Sequence, residues 1–150
     1  MANVKIKKEI KEFSTYRLVK SEDLNHHGTL FAGRCAEWFV ESGFVAASSL
    51  LNPKFLICLK IHGLEFLEPV IAGDAICFTS KIVYTGRTSL IGYIKVSKNY
   101  TDERLIVDGF ITFVYVDEIT RPRPHNLEML VLTEEDKQLQ EQAKAIKKQQ

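Results

Sequence analysis

The densest apolar stretch of the chain covers residues 30–51. Its hydrophobic residues fall on most sides of a helical wheel, a pattern that is typical of a buried helix. Pro53, in the segment LNP, cannot continue the helix and marks its end. The pattern predicts one long central helix in which Glu41 is the lone charged residue between Trp38 and Asn52.

Strand patterns flank this helix on both sides. Residues 4–19 alternate loosely and predict a strand or a pair of strands. Runs rich in β-branched and aromatic residues follow the helix at 55–67, 75–85, 90–100 and 104–117. Short turn segments, PVIAGD, GRTS and TDER, separate these runs, so neighbouring strands are expected to pair antiparallel. The segment RPRPH (121–125) is expected to be extended, because each proline disfavours helix in the residue before it.

A single helix that is apolar on most sides needs a sheet that curls around it. The order of the elements therefore predicts an α+β fold, in which a curved antiparallel β-sheet wraps around one long central α-helix.

A polar segment closes the chain. Thr133 and Asp136 form a capping box that opens a helix over 134–148. The apolar stripe of this helix is thin, so we expect it to be frayed or docked on a neighbour. The stripe consists of Leu139, Ala143 and Ile146. We therefore divide the chain into one domain, 1–132, and a C-terminal polar helical tail, 133–150.

Composition narrows the class of protein without naming a ligand. A net charge of +1 gives no reason to expect nucleic acid or an anionic membrane as partner. The cysteines Cys35, Cys58 and Cys77 are widely spaced and form no C-x-x-C pair, which favours reduced thiols over disulfides or a zinc site. The sequence has no signal peptide pattern and no apolar run of about 18 residues, so we expect a cytoplasmic protein.

Three motifs occur in a fixed order: LNHHGTLFAGRCAEW, FLEPVIAGD and TGRTS. Together they resemble the acyl-CoA thioesterases of the hotdog superfamily over roughly residues 10–120. In that family the first motif reads approximately N-x-x-G-x-x-x-x-G and precedes a helix that carries an acid. The residues that fit it are Asn25, Gly28 and Gly33. Val40 occupies the usual Asp position of the helix motif, which leaves Glu41 as the acid.

The resemblance implies hydrolysis of an acyl-CoA thioester by a homodimer or a dimer-based oligomer, a tetramer or hexamer. The site would lie between subunits, with the loop 25–29 of one chain facing the helix acid of the other. Asn25 would hold the water or the carbonyl, Glu41 would be the base or nucleophile, and amides from Gly28 to Ala32 would form the oxyanion hole. The substrate would contact His26, His27, Thr29, Gly86, Arg87, Thr88 and Ser89. Neither a metal nor a separate cofactor is expected, since coenzyme A enters as part of the substrate.

Glu41 and Asn25 each allow a second interpretation. Glu41 shares a helix face with Arg34, Trp38 and Val45. A carboxylate among apolar neighbours has a raised pKa, and such acids cluster at functional sites. Alternatively, Glu41 forms an ion pair with Arg34 or another subunit, or lies exposed at the helix rim. Asn25 could simply close an Asx-turn before the helix.

Other side chains also carry alternatives. His26 and His27 could act as general bases near neutral pH, or they could shape the mouth of the pocket. Cys35 is expected in the core, although pairing with a loop histidine for nucleophilic catalysis stays open. We expect His62 to be structural and His125 to be solvated.

The sequence also leaves open which cations contact the phosphates of CoA and which reaction the protein carries out. Arg87 could pair with a phosphate of CoA. Further phosphate candidates are Lys95, Lys98, Arg121 and Arg123. A non-catalytic hotdog module that only binds acyl-CoA is the main rival function, because Val40 cannot act as a base. A hydratase or dehydratase would need a His–acid pair in a pattern that the sequence lacks.

Overall fold

The computed structural model describes residues 4–98 and 104–148. The predicted TDER turn (101–104) lies outside these residues apart from its last position. The elements are β1 (Ile6–Glu9), β2 (Phe13–Leu18), α1 (Ala32–Ser48), β3 (Leu56–Gly63), β4 (Ala75–Thr85), β5 (Ser89–Lys98), β6 (Leu105–Tyr115), β7 (Leu127–Leu130) and α2 (Glu134–Lys148). The four strands predicted after the central helix are confirmed as β3 to β6, and β7 was not predicted.

The main sheet is antiparallel and has the strand order β2-β4-β5-β6-β3. The expectation that every strand pairs with its neighbour in sequence is wrong for β3, because the link 64–74 carries the chain across the sheet from β3 to β4. β1 and β2 do not pair with each other either. β1 instead pairs in parallel with β7, as a small second sheet.

The helix α1 packs one face against the main sheet. Cys35 and Phe39 are fully buried on this face, and a β-carbon on Gly43 would lie only 3.0 Å from the Phe113 ring. Glu41 and Val45, on the other side, are exposed. The prediction that the helix is buried on most of its circumference is therefore wrong for the single chain, because one five-stranded sheet covers only one side of a helix.

The helix α2 docks on the opposite face of the same sheet. Its residues Leu139 and Ala143 form a second small core with Val83, Ile91 and Phe110. One half of the predicted capping box is present, since the backbone N–H of Asp136 donates to the Thr133 hydroxyl (3.1 Å), while the Asp136 carboxylate contacts Lys81. Of the two alternatives for this segment, docking is correct, and the neighbour is the chain's own sheet. Neither helix in the described part of the chain combines the length and the apolar character of a membrane span.

Candidate active site at the start of the central helix

The loop before α1 is organised by Asn25. Its Oδ1 accepts hydrogen bonds from the backbone N–H of His27 (2.8 Å) and of Thr29 (3.2 Å), and its Nδ2 donates to Thr29 Oγ1 (3.1 Å). Gly28 has φ +81°, in the left-handed region that favours glycine. Asn25 therefore does form the Asx-turn that the sequence allowed, and its side chain determines the shape of the loop.

Most of the amides suggested as oxyanion donors already have partners. The N–H groups of Gly28 and Thr29 donate to Asn25. The N–H of Leu30 donates to the Val70 carbonyl (2.7 Å), and that of residue 31 donates to the carbonyl of residue 23 (2.9 Å). α1 then begins at Ala32 without a side-chain cap. Because the first N–H groups of a helix lack partners within it, the amide donors that remain lie in the first turn, from Ala32 onward.

A cavity of about 310 Å³ opens beside this helix start. Its volume is at the lower end of the usual range for ligand sites. Its walls come from the loop, the helix start, the segment after β3 and β6. The lining residues are Asn25, Thr29, Leu30, Ala32, Phe66, Leu67, Glu68, Pro69, Val70 and Ile106. Polar groups of the loop thus meet an apolar wall, the combination that an acyl thioester requires.

The two loop histidines are exposed and lie against each other. The ring centroids of His26 and His27 are 4.0 Å apart and the rings are tilted by 43°. Neither lines the cavity beside Asn25. Their position at the outer side of the loop favours the interpretation in which they shape the mouth of the site.

Glu41 is not surrounded by apolar side chains as the sequence suggested. Its side chain is 60% exposed, and its Oε2 accepts a hydrogen bond from Nη2 of Arg17 (2.9 Å). The predicted partner Arg34 instead contacts Asp23 (3.4 Å) and Glu37 (3.9 Å). Of the alternatives for Glu41, exposure at the helix rim is confirmed and the ion pair with Arg34 is wrong, because β2 brings Arg17 across α1. An ion pair with another subunit stays a prediction.

One chain alone does not bring Glu41 to the loop. Glu41 lies nine residues after Ala32 in α1, which corresponds to about 14 Å along the helix axis. The side chain of Glu41 cannot span this distance to Asn25 within one chain. The predicted pairing of the loop with the acid of a second subunit is compatible with this separation and stays a prediction.

The GRTS segment forms the tight turn between β4 and β5. The N–H of Gly86 donates to the carbonyl of Ser89 (3.0 Å), and the Thr88 carbonyl accepts from the N–H of Tyr115 (2.8 Å). Arg87 is exposed at the tip. Nζ of Lys147 lies 3.4 Å from the position that a β-carbon on residue 86 would take. The ammonium of Lys147 therefore lies against the hairpin at Gly86, the residue before Arg87, and Lys147 was not among the predicted residues.

Ser89 is less accessible than its predicted role requires. Its residue is 2% exposed, and its hydroxyl has no hydrogen-bond partner among the described residues. Ser89 is the first residue of β5, and its hydroxyl faces Gly86 on the inner side of the turn. A direct contact of the Ser89 hydroxyl with a bound ligand would need the hairpin to move.

His125 is buried beneath this hairpin, so the expectation that it is solvated is wrong. Its Nδ1 accepts from the N–H of Leu127 (2.9 Å), so its Nε2 carries the proton and donates to the Ser89 carbonyl (2.9 Å). Burial is the main cause that lowers the pKa of His125. The hydrogen bond to the Ser89 carbonyl raises the pKa in part, Lys5 lowers it by less, and Gly86 has the smallest, raising effect. The neutral ring joins the hairpin to the segment before β7.

The remaining nucleophile and base candidates have structural roles. Burial raises the pKa of the Cys35 thiol to about 12, which removes the Cys–His alternative. His62 contacts the Thr112 hydroxyl through Nε2 (2.8 Å), and its pKa is lowered first by burial and then by Lys60. The expectation that His62 is structural is confirmed.

The further phosphate candidates differ in their availability. Lys98 forms an ion pair with Asp74 (3.6 Å). The guanidinium of Arg123 is stacked between the rings of Phe55 (4.7 Å) and Tyr115 (4.2 Å). Both side chains are therefore engaged within the chain. Arg121 is exposed and Lys95 is half-buried.

The geometry of the site does not by itself identify the protein family, and a comparison with known families does. A family model described as the thioesterase superfamily matches residues 27–102, which include the last part of the loop (27–29), α1 and the GRTS hairpin; Asn25 lies two residues before the match. The chain belongs to the thioesterase superfamily. Its α+β fold is the hotdog fold predicted from the sequence.

Relatives of this superfamily match nearly the whole described chain. A hexameric acyl-CoA thioesterase in its apo form has 31% identity and a TM-score of 0.83, over 92% of this chain and 89% of that one. An acyl-CoA hydrolase from Bacillus cereus has 27% identity and a TM-score of 0.84, over 93% and 85% of the two chains. A Bacillus subtilis protein named as an uncharacterized acyl-CoA thioester hydrolase, YkhA, is 29% identical over 78% of this chain and 69% of its own.

Proposed function

We propose that this protein is a thioester hydrolase that cleaves acyl-CoA to a free acid and coenzyme A. The observation that carries the proposal is that the superfamily match, 27–102, covers the helix start and most of the residues that line the cavity beside it. The relatives with the matching fold are named as acyl-CoA hydrolases and thioesterases, which supports acyl-CoA as the substrate class.

The chemistry that fits this site begins with the thioester carbonyl at the start of α1. The N–H groups of Ala32 and Gly33 point out of the helix end and favour the negative charge that develops on the carbonyl oxygen. Water attacks the carbonyl carbon while Glu41 takes its proton. The carbon–sulfur bond then breaks, CoA leaves as a thiolate, and Glu41 returns the proton to that sulfur.

The site needs two subunits, because Asn25 and Glu41 are too far apart in one chain. We infer that Glu41 of a second copy lies opposite the loop, in a homodimer or an assembly of dimers. Edge strand β3 supports association, since Ile57 and Leu59 are 41% and 62% exposed on it. The similar hexameric acyl-CoA thioesterase is consistent with a dimer-based assembly.

The GRTS hairpin is the proposed contact for the coenzyme. Exposed Arg87 and neighbouring Lys147 supply positive charge for phosphate groups. Coenzyme A would then enter as part of the substrate, with no separate cofactor. A phosphate contact of this kind acts in the ground state and the transition state alike, so it should affect KM more than kcat.

A second candidate is a module that binds acyl-CoA without hydrolysing it. Val40 stands where the resemblance gives an Asp, and the remaining acid, Glu41, is exposed and paired with Arg17. Such a module would bind acyl-CoA and release no coenzyme.

Release of free CoA, measured with a thiol reagent over short, medium and long acyl-CoA substrates, separates the two candidates. The hydrolase requires turnover by the wild type and a fall in kcat of roughly 10²–10⁴ in Glu41→Gln, the range typical of losing a general base. Saturable binding of acyl-CoA without any release of CoA would establish the binding module instead.

A further inference from the structure

Arg17 links the edge of the main sheet to the helix acid. From β2 it reaches across α1, where its Nη2 lies 2.9 Å from Oε2 of Glu41. Its guanidinium also lies over the Trp38 ring, 5.1 Å from the ring centroid. Trp38 precedes Glu41 by three residues, so the ring and the carboxylate share one face of the helix. A single cation therefore contacts both groups.

The ring beneath Arg17 is fixed in the core. Trp38 is 8% exposed and packs edge-on against Phe78 of β4, with ring centroids 6.1 Å apart. A planar guanidinium is suited to lie on such a ring and to donate a hydrogen bond at the same time. An exposed ion pair between two free side chains has little effect. Here one partner is oriented by a buried aromatic platform, which restricts where the carboxylate can lie.

The other cation near this part of α1 is engaged elsewhere. Arg34 contacts Asp23 and Glu37, and among the described ion pairs Arg17 is the cation that contacts Glu41. Arg17 binds one carboxylate oxygen, Oε2, and leaves the second oxygen, Oε1, to accept a proton. Because an arginine keeps its proton in proteins, the guanidinium stays a hydrogen-bond donor whether Glu41 is ionised or protonated.

We propose that Arg17 is a positioning residue that holds the Glu41 carboxylate so that its Oε1 faces the attacking water. This inference rests on the proposed hydrolase function, with Glu41 as the base. In the step concerned, a water O–H bond breaks, its proton moves to Oε1, and the oxygen forms a bond to the thioester carbon. The C–S bond then breaks, and the proton passes from Oε1 to the departing sulfur.

Three variants of the full-length protein test the proposal with the best acyl-CoA of the substrate panel. Arg17→Gln should lower kcat by roughly 10- to 100-fold, since a displacement of about 1 Å of a catalytic group can cost about 10²-fold. Its KM should stay within about twofold, because the phosphate contacts are untouched. Arg17→Lys keeps the positive charge but loses the planar guanidinium, so its kcat should lie between those of the wild type and Arg17→Gln. The control Lys144→Gln removes a similarly exposed ion pair on α2 (3.5 Å) and should keep wild-type kinetics.

The double variant Arg17→Gln/Glu41→Gln separates positioning from a general structural role. If Arg17 acts through Glu41, its loss in the Glu41→Gln background should change kcat by less than about twofold. Independent, multiplicative losses would overturn the proposal. Full kcat in Arg17→Gln with an impaired Glu41→Gln would overturn it and leave the hydrolase intact. Full activity in Glu41→Gln would overturn Glu41 as base and this inference together, and a wild type that releases no CoA would overturn the function as well.

If Arg17→Gln does not fold, Arg17→Met takes its place in each comparison, because the methionine side chain keeps an apolar contact with Trp38.

Discussion

The contact that fixes α2 to the sheet allows a direct test of the packing. The ammonium of Lys81 lies 2.7 Å from a carboxylate oxygen of Asp136, and both side chains are nearly buried. A second acid, Glu135, lies 3.5 Å from the same ammonium but is 72% exposed. Among the ion pairs of the described residues, replacing Asp136 by Asn leaves the buried ammonium with the exposed Glu135 as its partner. Burial alone lowers the pKa of Lys81, and the hydrogen bond and charge of Asp136 raise it above its ordinary value.

The expected loss follows from the environment of this pair. Breaking a buried ion pair costs about 3–5 kcal/mol, and the remaining Glu135 should reduce the cost to about 2–3 kcal/mol. In a chain of 150 residues, each kcal/mol corresponds to roughly 2–4 °C in Tm. Asp136→Asn should therefore melt roughly 4–12 °C below the wild type, measured at one fixed protein concentration because oligomers gain stability with concentration. The control Glu135→Gln should shift Tm by less than about 2 °C. Equal shifts in Tm for the two variants would contradict the conclusion that the buried Lys81–Asp136 ion pair fixes α2 to the sheet.

Three further predictions concern the site and the core. In steady-state kinetics, Arg87→Ala should raise KM for acyl-CoA about tenfold and leave kcat nearly unchanged. A fall in kcat alone would mean that Arg87 acts in the chemical step instead. His125 has a lowered pKa in the folded state because of its burial, so unfolding takes up a proton and stability should fall as pH drops below about 6.5. Urea unfolding of His125→Asn should show a weaker pH dependence between about pH 5 and 7; the same dependence in the variant and the wild type would contradict this assignment. Gly43→Ala should cost about 1–3 kcal/mol, because its β-carbon would lie 3.0 Å from the Phe113 ring and 3.1 Å from the Ile111 side chain. An unchanged urea midpoint would mean that these two side chains move aside freely.

The strand pattern was predictable because each long strand carries its own apolar and β-branched run. The predicted range 75–85 coincides with β4. The central helix was predicted too long, since Leu30 instead forms a bridge with Leu24 and donates to the Val70 carbonyl. The position of β3 at the far edge of the sheet could not be predicted, because it depends on the path of the link after Gly63 and on no local pattern.

The site was predictable as a set of motifs and not as a set of contacts. Asn25 and its loop are local, so the turn that it closes could be proposed from the sequence. The Arg17–Glu41 pair joins residues 24 positions apart, and its formation depends on how β2 crosses α1. The buried contact between His125 and Ser89 spans 36 positions. Long-range contacts of this kind follow from the tertiary packing, and the partner of Glu41 was predicted wrongly for this reason.

The sharing of one active site between two subunits is tested most directly by complementation. Asn25→Ala removes the side chain that shapes the loop, and Glu41→Gln removes the proposed base. Each variant alone should be nearly inactive in acyl-CoA hydrolysis. When the two are co-expressed in equal amounts and the mixed oligomer is isolated through two different tags, some sites combine an intact loop from one chain with an intact Glu41 from the other.

A dimer isolated through both tags contains one chain of each kind, so one of its two shared sites is intact and activity should return to about half of the wild-type value. In a larger, randomly mixed assembly a shared site has an intact loop in half of the cases and an intact Glu41 in half, so activity should return to about a quarter. The account therefore predicts recovery to between about a quarter and about half of the wild-type activity, according to the number of chains in the assembly. Mixed oligomers that are no more active than either variant alone, with a wild type that hydrolyses the same acyl-CoA, would contradict it.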